Sequence, residues 1–330
     1  MLRRLLSALS ALIALTACDP LAPDPTIAAL QRAALQPTVT PIPPTAVPSL
    51  TPTITPTPTA TPTPTPTFPP TPTSYLCLEA RGQTVELSFF SQIARQDLAY
   101  RVYLPPCYAE TQRRYPFVVL LHGQGGDQSD WTAIGAQRAY ESALRAGAVP
   151  PMLLIMPSGG ALADENSFAE GRSWASVVLQ ELLPNVERNF CTWNAREGRA
   201  IGGFSRGGFW ALHIAFRYPE FFGTVGAHSP ALYEDNAPPN ANPLDLARTA
   251  AFPPGAQPRL WIDIGLQDDR EATVTRFVNT LVERGIAISF TRYSVGEHDI
   301  AYWTEHAAEY LIFYGQLWPR DVRDLPTCLE

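Results

Sequence analysis

The stretch Ile201-Gly202-Gly203-Phe204-Ser205-Arg206-Gly207-Gly208 constrains the fold more than any other part of this 330-residue chain. An apolar run ends there, a serine follows between glycines, and helical spacing begins at once with Phe209, Leu212, His213 and Phe216. The pattern predicts a strand, a sharp turn and a helix. The spacing Gly203-x-Ser205-x-Gly207 has a steric reason. A serine on so tight a turn is held in a strained backbone conformation, and side chains at the flanking positions would collide with the neighbouring strand and helix. The hydroxyl is thereby exposed at a helix N-terminus, where backbone N–H groups and the helix dipole favour negative charge.

Around this turn, residues 75–330 alternate strand and helix patterns. Residues 84–91 and 97–104 alternate like antiparallel strands, whereas 116–121 and 152–156 are continuous apolar runs, as in strands buried on both faces. Further strands are expected at 199–204, 222–227, 260–264 and 286–295, and helices at 132–147, 173–190, 271–284 and 300–317. The alternation implies one α/β domain with a mostly parallel sheet covered by helices on both faces. Two irregular stretches, 158–172 and 229–258, follow strand C-termini, the edge where ligands bind in such sheets.

The N-terminal 74 residues are of another kind. Arg3 and Arg4 precede an apolar stretch, Leu5 to Leu15, too short to span a bilayer, and Leu15-Thr16-Ala17-Cys18 resembles a bacterial lipoprotein signal in which lipid is attached to the cysteine. Residues 1–18 are therefore expected to be a signal peptide ending at the lipid-attachment residue Cys18, with the alternative of an ordinary secretory signal. Residues 19–74 form a linker, most of it Thr-Pro repeats, that cannot bury a core. Extended at about 3 Å per residue, its Thr-Pro part reaches on the order of 100 Å and would lift the domain off a membrane as a stalk. Both readings place the domain outside the cytoplasm. Cys77, Cys107, Cys191 and Cys328 then favour two disulfides over a metal site, since no spacing resembles zinc ligation. The expected pairing is Cys77–Cys328 and Cys107–Cys191.

Composition excludes several chemistries. All 24 cationic residues are arginine, so a Walker A lysine, a Schiff-base lysine and a Ser–Lys dyad are ruled out. A net charge of −7 argues against nucleic acid as a partner. No cofactor or metal is expected, and the chain is expected to be a monomer.

A serine needs a base, an orienting acid and oxyanion donors to attack a carbonyl. Among His122, His213, His228, His298 and His306, His298 lies just past the last predicted strand, where the order Ser…Asp/Glu…His puts the base. The acid should follow strand 260–264; Gly265-Leu266-Gln267-Asp268-Asp269 offers Asp268 first and Asp269 as the alternative. One oxyanion N–H is expected from Arg206, the other from Gln124 in His122-Gly123-Gln124-Gly125-Gly126, which follows strand 116–121. His122, Trp131, Trp174, His228 and Trp303 sit in or beside these loops as candidate substrate-binding residues, His122 as a loop-shaping group rather than a base. Phe168 and Tyr233 share that setting, with core packing as the plainer role of any single aromatic ring.

These segments together, Leu120-Leu121-His122-Gly123-Gln124-Gly125-Gly126…Asp130-Trp131, Gly203-Phe204-Ser205-Arg206-Gly207-Gly208, Gly265-x-x-Asp268 and Gly296-Glu297-His298-Asp299…Trp303, resemble the esterase family of α/β-hydrolases that includes S-formylglutathione hydrolase (esterase D), feruloyl and acetyl-xylan esterases and the mycobacterial mycolyltransferases. The resemblance spans roughly residues 85–317. It implies an α/β-hydrolase fold, a nucleophile, acid and base at Ser205, Asp268 and His298, and oxyanion donors at Gln124 and Arg206. The implied activity is hydrolysis of a carboxylic ester, with a small-molecule or polysaccharide-linked ester as the expected partner, and with acyl transfer by the same residues and a non-catalytic surface-binding module as alternatives. Arg206 is bulkier than many of the family carry, and 229–258 matches no family motif.

Overall fold

A computed structural model describes residues 77–235 and 237–329. The signal and linker expected at 1–74, with Cys18, lie outside the described residues.

Eight strands form one sheet: β1 (Gln83–Ser91), β2 (Gln96–Leu104), β3 (Phe117–Leu121), β4 (Leu153–Pro157), β5 (Arg199–Ser205), β6 (Thr224–Pro230), β7 (Arg259–Gly265) and β8 (Ile288–Tyr293). Their order is β1-β2-β4-β3-β5-β6-β7-β8. β1 pairs antiparallel with β2, and β2 with β4; every later pair is parallel. β5, which carries Ser205, is therefore central. Parallel strands flanked on both sides are buried on both faces, and every residue of β3, β4 and β6 is buried.

Side-chain alternation divides the core in two. Phe117, Val119 and Leu121 of β3 face one layer, packing with Phe209, Leu212, Phe216, Phe277 and Leu281 of the helices Arg206–Arg217 and Glu271–Glu283. Val118 and Leu120 face the other, with Tyr140, Tyr310, Leu311 and Tyr314 of the helices Ala136–Arg145 and Ile300–Gly315. Helices cover both faces of a mostly parallel sheet, as expected.

Several boundaries differ from the sequence expectation. The helix expected at 132–147 is two helices, Asp130–Ala133 and Ala136–Arg145, because Gly135 between them has φ 80°. The helix expected at 173–190 is interrupted by a wider π turn, Val178–Leu182, just before Pro184, which has no N–H to continue the regular ladder. The irregular stretches carry short helices, Gly160–Asp164 and Pro243–Thr249. The strand expected at 222–227 runs instead from Thr224 to Pro230 and so includes His228 and Ser229.

The disulfides are Cys77–Cys107 and Cys191–Cys328, with Cα atoms 5.7 and 5.9 Å apart, not the expected Cys77–Cys328 and Cys107–Cys191. The reason is the path of the C-terminus. It returns beside 112–115, where Arg114 N–H donates to Pro326 O and Cys328 N–H donates to Gln112 O, each at 2.8 Å. Tyr115 N–H donates to Cys191 O at 2.8 Å, so the same segment brings Cys191 to Cys328. Cys107 instead meets the start of the domain, its N–H donating to the Glu79 carboxylate.

Candidate active site

Ser205 ends β5 and caps the helix Arg206–Arg217 with φ 54° and ψ −120°, a conformation L residues avoid. The flanking glycines are there for space. A Cβ on Gly203 would lie 2.4 Å from the backbone of Gly207, and one on Gly207 would lie 2.3 Å from Leu121 O. The first-turn N–H groups of that helix, beginning with Arg206, have no partner within the helix.

His298 and Asp268 reach Ser205 from two further loops at the same edge of the sheet. The Ser205 hydroxyl donates to His298 Nε2 at 2.8 Å, and His298 Nδ1–H donates to Asp268 Oδ2 at 2.8 Å. Asp268 Oδ1 accepts the backbone N–H of Arg270 at 2.9 Å. Burial of Asp268 opposes its ionisation, but hydrogen bonds from His298, Ser229 and Arg270 outweigh it and hold its carboxyl down at about 2. Trp303 stands edge-on to the His298 ring at 5.1 Å and stacks on Phe204 at 4.5 Å, fixing the imidazole from one side. Asp269, the alternative acid, pairs with Arg270 at the surface.

Beside Ser205 opens a cavity of about 310 Å³ lined by Gly123, Gln124, Asp130, Ile134, Phe204, His298 and Trp303 among others. Gln124 and Gly125 form a tight turn closed by Gly126 N–H to Gly123 O at 3.2 Å, with Gly125 at φ 71°. Asp164, at the end of the helix Gly160–Asp164, holds this turn by accepting Gly125 N–H at 2.9 Å. His122 shapes it: Nε2 accepts Gly159 N–H at 2.9 Å, which leaves Nδ1–H to donate to Gly123 O at 2.6 Å. Asp130, the carboxylate among the lining residues, has its pKa raised by burial.

The other sequence candidates sit elsewhere. Trp131 is 1% exposed, with its indole N–H donating to Leu121 O at 3.0 Å, and Trp174 is likewise buried. His228 is fully buried beneath the site, donating Nδ1–H to Asp263 at 2.6 Å and accepting the Tyr314 hydroxyl at 2.7 Å. These three, with His122, do not line the cavity; Trp303 does. The Arg206 side chain turns away from it: its guanidinium donates to Glu165 O at 2.9 Å and Asn166 Oδ1 at 2.7 Å, tying the loop after β4 to the helix that follows Ser205.

Sequence reasoning passed over Ser229, whose hydroxyl donates to Asp268 Oδ2 and lies 2.9 Å from His298 Nδ1. The signal nearby pointed away from it, since a residue before proline favours extended backbone, yet Ser229 has φ 47°. Ala133, Ile134 and Ile300 also line the cavity without having been singled out.

The arrangement can hold a serine, a base that takes its proton and a carboxylate that fixes the base, at the mouth of a cavity beside a helix N-terminus. Known proteins carry a similar chain. An esterase of Mycobacterium tuberculosis is 37% identical over 132 residues, covering 39% of this chain and 28% of that protein. An endo-1,4-beta-xylanase/feruloyl esterase of Xylanibacter ruminicola is 29% identical over 162 residues, 46% of this chain and 22% of that protein. The matches thus span less than a third of these curated relatives' own length. Among solved structures, a ferulic acid esterase superposes with a TM-score of 0.64 at 21% identity, over 73% of this chain and 100% of that one. The S-formylglutathione hydrolase of Staphylococcus aureus gives 0.58 at 19% identity, over 70% and 99%. These likenesses show a shared α/β-hydrolase fold. The family model described as "Putative esterase" matches residues 91–320, and on that match the chain belongs to this esterase family.

Proposed function

We propose that the protein hydrolyses a carboxylic ester through an acyl-enzyme on Ser205. The observation that carries this reading is the chain of two 2.8 Å hydrogen bonds from Ser205 through His298 to Asp268 at the cavity mouth. His298 Nε2 takes the hydroxyl proton as Ser205 Oγ attacks the ester carbonyl carbon. Asp268 holds the imidazole in the Nδ1–H tautomer and stabilises the imidazolium. The N–H groups of Gln124 and Arg206 receive the oxyanion, and loss of one such donor costs on the order of a hundredfold in rate. His298 then protonates the leaving alcohol; a water molecule, deprotonated by the same nitrogen, attacks the acyl carbon, the bond to Ser205 Oγ breaks with the proton returning from His298 to that oxygen, and the acid leaves.

The substrate is proposed to be an extracellular, carbohydrate-linked ester. The xylanase/feruloyl esterase relative and the two disulfides support this setting, because disulfides persist in oxidising compartments. Lipid on Cys18 would hold the domain at a membrane surface.

The test is p-nitrophenyl acetate and methyl ferulate turnover by wild type beside Ser205→Ala. The variant is expected to lose activity by at least about a thousandfold while keeping its melting temperature. Equal rates would remove the acyl-enzyme. Product analysis with an added alcohol acceptor separates hydrolysis from acyl transfer, and detergent phase partitioning of wild type against Cys18→Ser tests the anchor.

A further inference from the structure

β6 carries one residue more than β5 at the active edge. The two strands pair in register from Ala200 with Thr224 to Phe204 with His228, but Ser205 then pairs with Pro230. The residue left over is Ser229. Such a bulge breaks the two-residue alternation of the strand and re-aims a side chain. Ser229 has φ 47°, a conformation that is sterically costly for any residue with a Cβ. Ser205 and Ser229 therefore sit on adjacent strands, both in conformations that glycine would adopt more readily. Ser229 is fully buried, so the strained position has no part in solvation. What its conformation achieves is a hydroxyl on Asp268 Oδ2, the same oxygen that accepts His298 Nδ1–H.

We propose that Ser229 is a positioning residue that sets the basicity of His298 through Asp268; this rests on the esterase reading above. The hydroxyl donates to Oδ2, while the backbone of Arg270 donates to Oδ1, so the carboxylate is fixed in rotation from both sides. The hydroxyl also draws off part of the negative charge that Asp268 directs at His298. The Ser229 oxygen lies 2.9 Å from His298 Nδ1, so the Nδ1–H is shared between two acceptors. Without Ser229, the carboxylate charge falls more fully on Nδ1–H and favours the imidazolium. The other charged groups facing His298 are the same in either case. They are Arg270 at 3.6 Å from Asp268, Glu297 and Asp299 on either side of His298 in the chain, and Asp130, which lines the same cavity.

Ser229→Gly removes the hydroxyl and relieves the backbone at φ 47°, so it keeps the fold; Ser229→Ala removes the hydroxyl and keeps the Cβ. Both are compared with wild type and Ser205→Ala on p-nitrophenyl acetate across pH. In both, kcat is expected to fall on the order of tenfold with KM within about twofold, and the acid limb of kcat/KM to move up by roughly half a pH unit. A wild-type profile in Ser229→Gly, or a fall in kcat with the limb unmoved, overturns the proposal. A second measurement is independent of turnover: the His298 imidazole is titrated by NMR in Ser205→Ala with and without Ser229→Gly. A higher pKa in the double variant supports the proposal, and an unchanged one overturns it. If Ser205→Ala is as active as wild type, the esterase reading falls and the NMR titration alone decides the role of Ser229.

Discussion

Asp268 concentrates at one residue what the site asks of its surroundings. A carboxylate with a fully buried side chain would ordinarily resist ionisation, yet three donors keep it charged, with a pKa near 2 against an ordinary 3.8. The sign of the resulting pH dependence follows. A depressed folded-state pKa contributes stability that is fully present above the unfolded value and is lost as pH falls from about 4 towards 2. Wild type is therefore expected to lose on the order of 2 kcal/mol of unfolding free energy across that window relative to Asp268→Asn. Urea unfolding of the two proteins from pH 2 to 6 measures it, and parallel curves would contradict it. The same substitution should lower kcat on the order of a thousandfold or more near neutrality, since an amide can hold the imidazole in the wrong tautomer.

At the scale of an element, the turn from β5 into the helix Arg206–Arg217 is shaped by what passes behind it. The helix starts so close to the end of β3 that Gly207 faces Leu121 O and His122 O. These are backbone atoms, which cannot rotate away. Gly207→Ala is thus expected to destabilise the domain by about 3 kcal/mol or more, or to push the helix start away from the loop carrying Gln124. A melting curve with an activity assay distinguishes the outcomes: loss of stability, loss of rate, or both; wild-type values of both would show that the close approach does not constrain the turn. Much of this element was legible, because the glycine spacing and the apolar runs encode local sterics. The bulge at Ser229 was not. It arises from the register between β5 and β6, and His228-Ser229-Pro230 gives no local pattern that distinguishes a bulged strand from the end of a strand.

Across the whole molecule, the two disulfides fasten the domain far from Ser205. Cys77–Cys107 closes a separation of 30 residues and Cys191–Cys328 one of 137. Chain-entropy reasoning assigns the longer loop about 5 kcal/mol and the shorter about 3.5 kcal/mol, as upper figures. Replacing Cys191 and Cys328 by serine should therefore lower Tm by roughly 10 °C, and more than replacing Cys77 and Cys107, with the activity at 25 °C retained in both. Calorimetry beside a rate assay checks this ranking; a larger shift from the short loop would reverse it.

What the chain pointed to by itself was whatever depends on neighbours in sequence or on chain order: the α/β alternation, the glycine-flanked turn at Ser205, and His298 among five histidines and Asp268 ahead of Asp269 as the groups expected to meet it. These follow from sterics within a few residues and from the order in which a parallel sheet meets its loops. The tertiary structure decided which distant groups meet. It paired Cys191 with Cys328 through the returning C-terminus, sank Trp131, Trp174 and His228 beneath the site, and brought Ser229 onto Asp268. The disulfide and the Ser229–Asp268 contact join segments far apart in the chain, and such proximity is set by strand register and packing, which no local pattern of residues records.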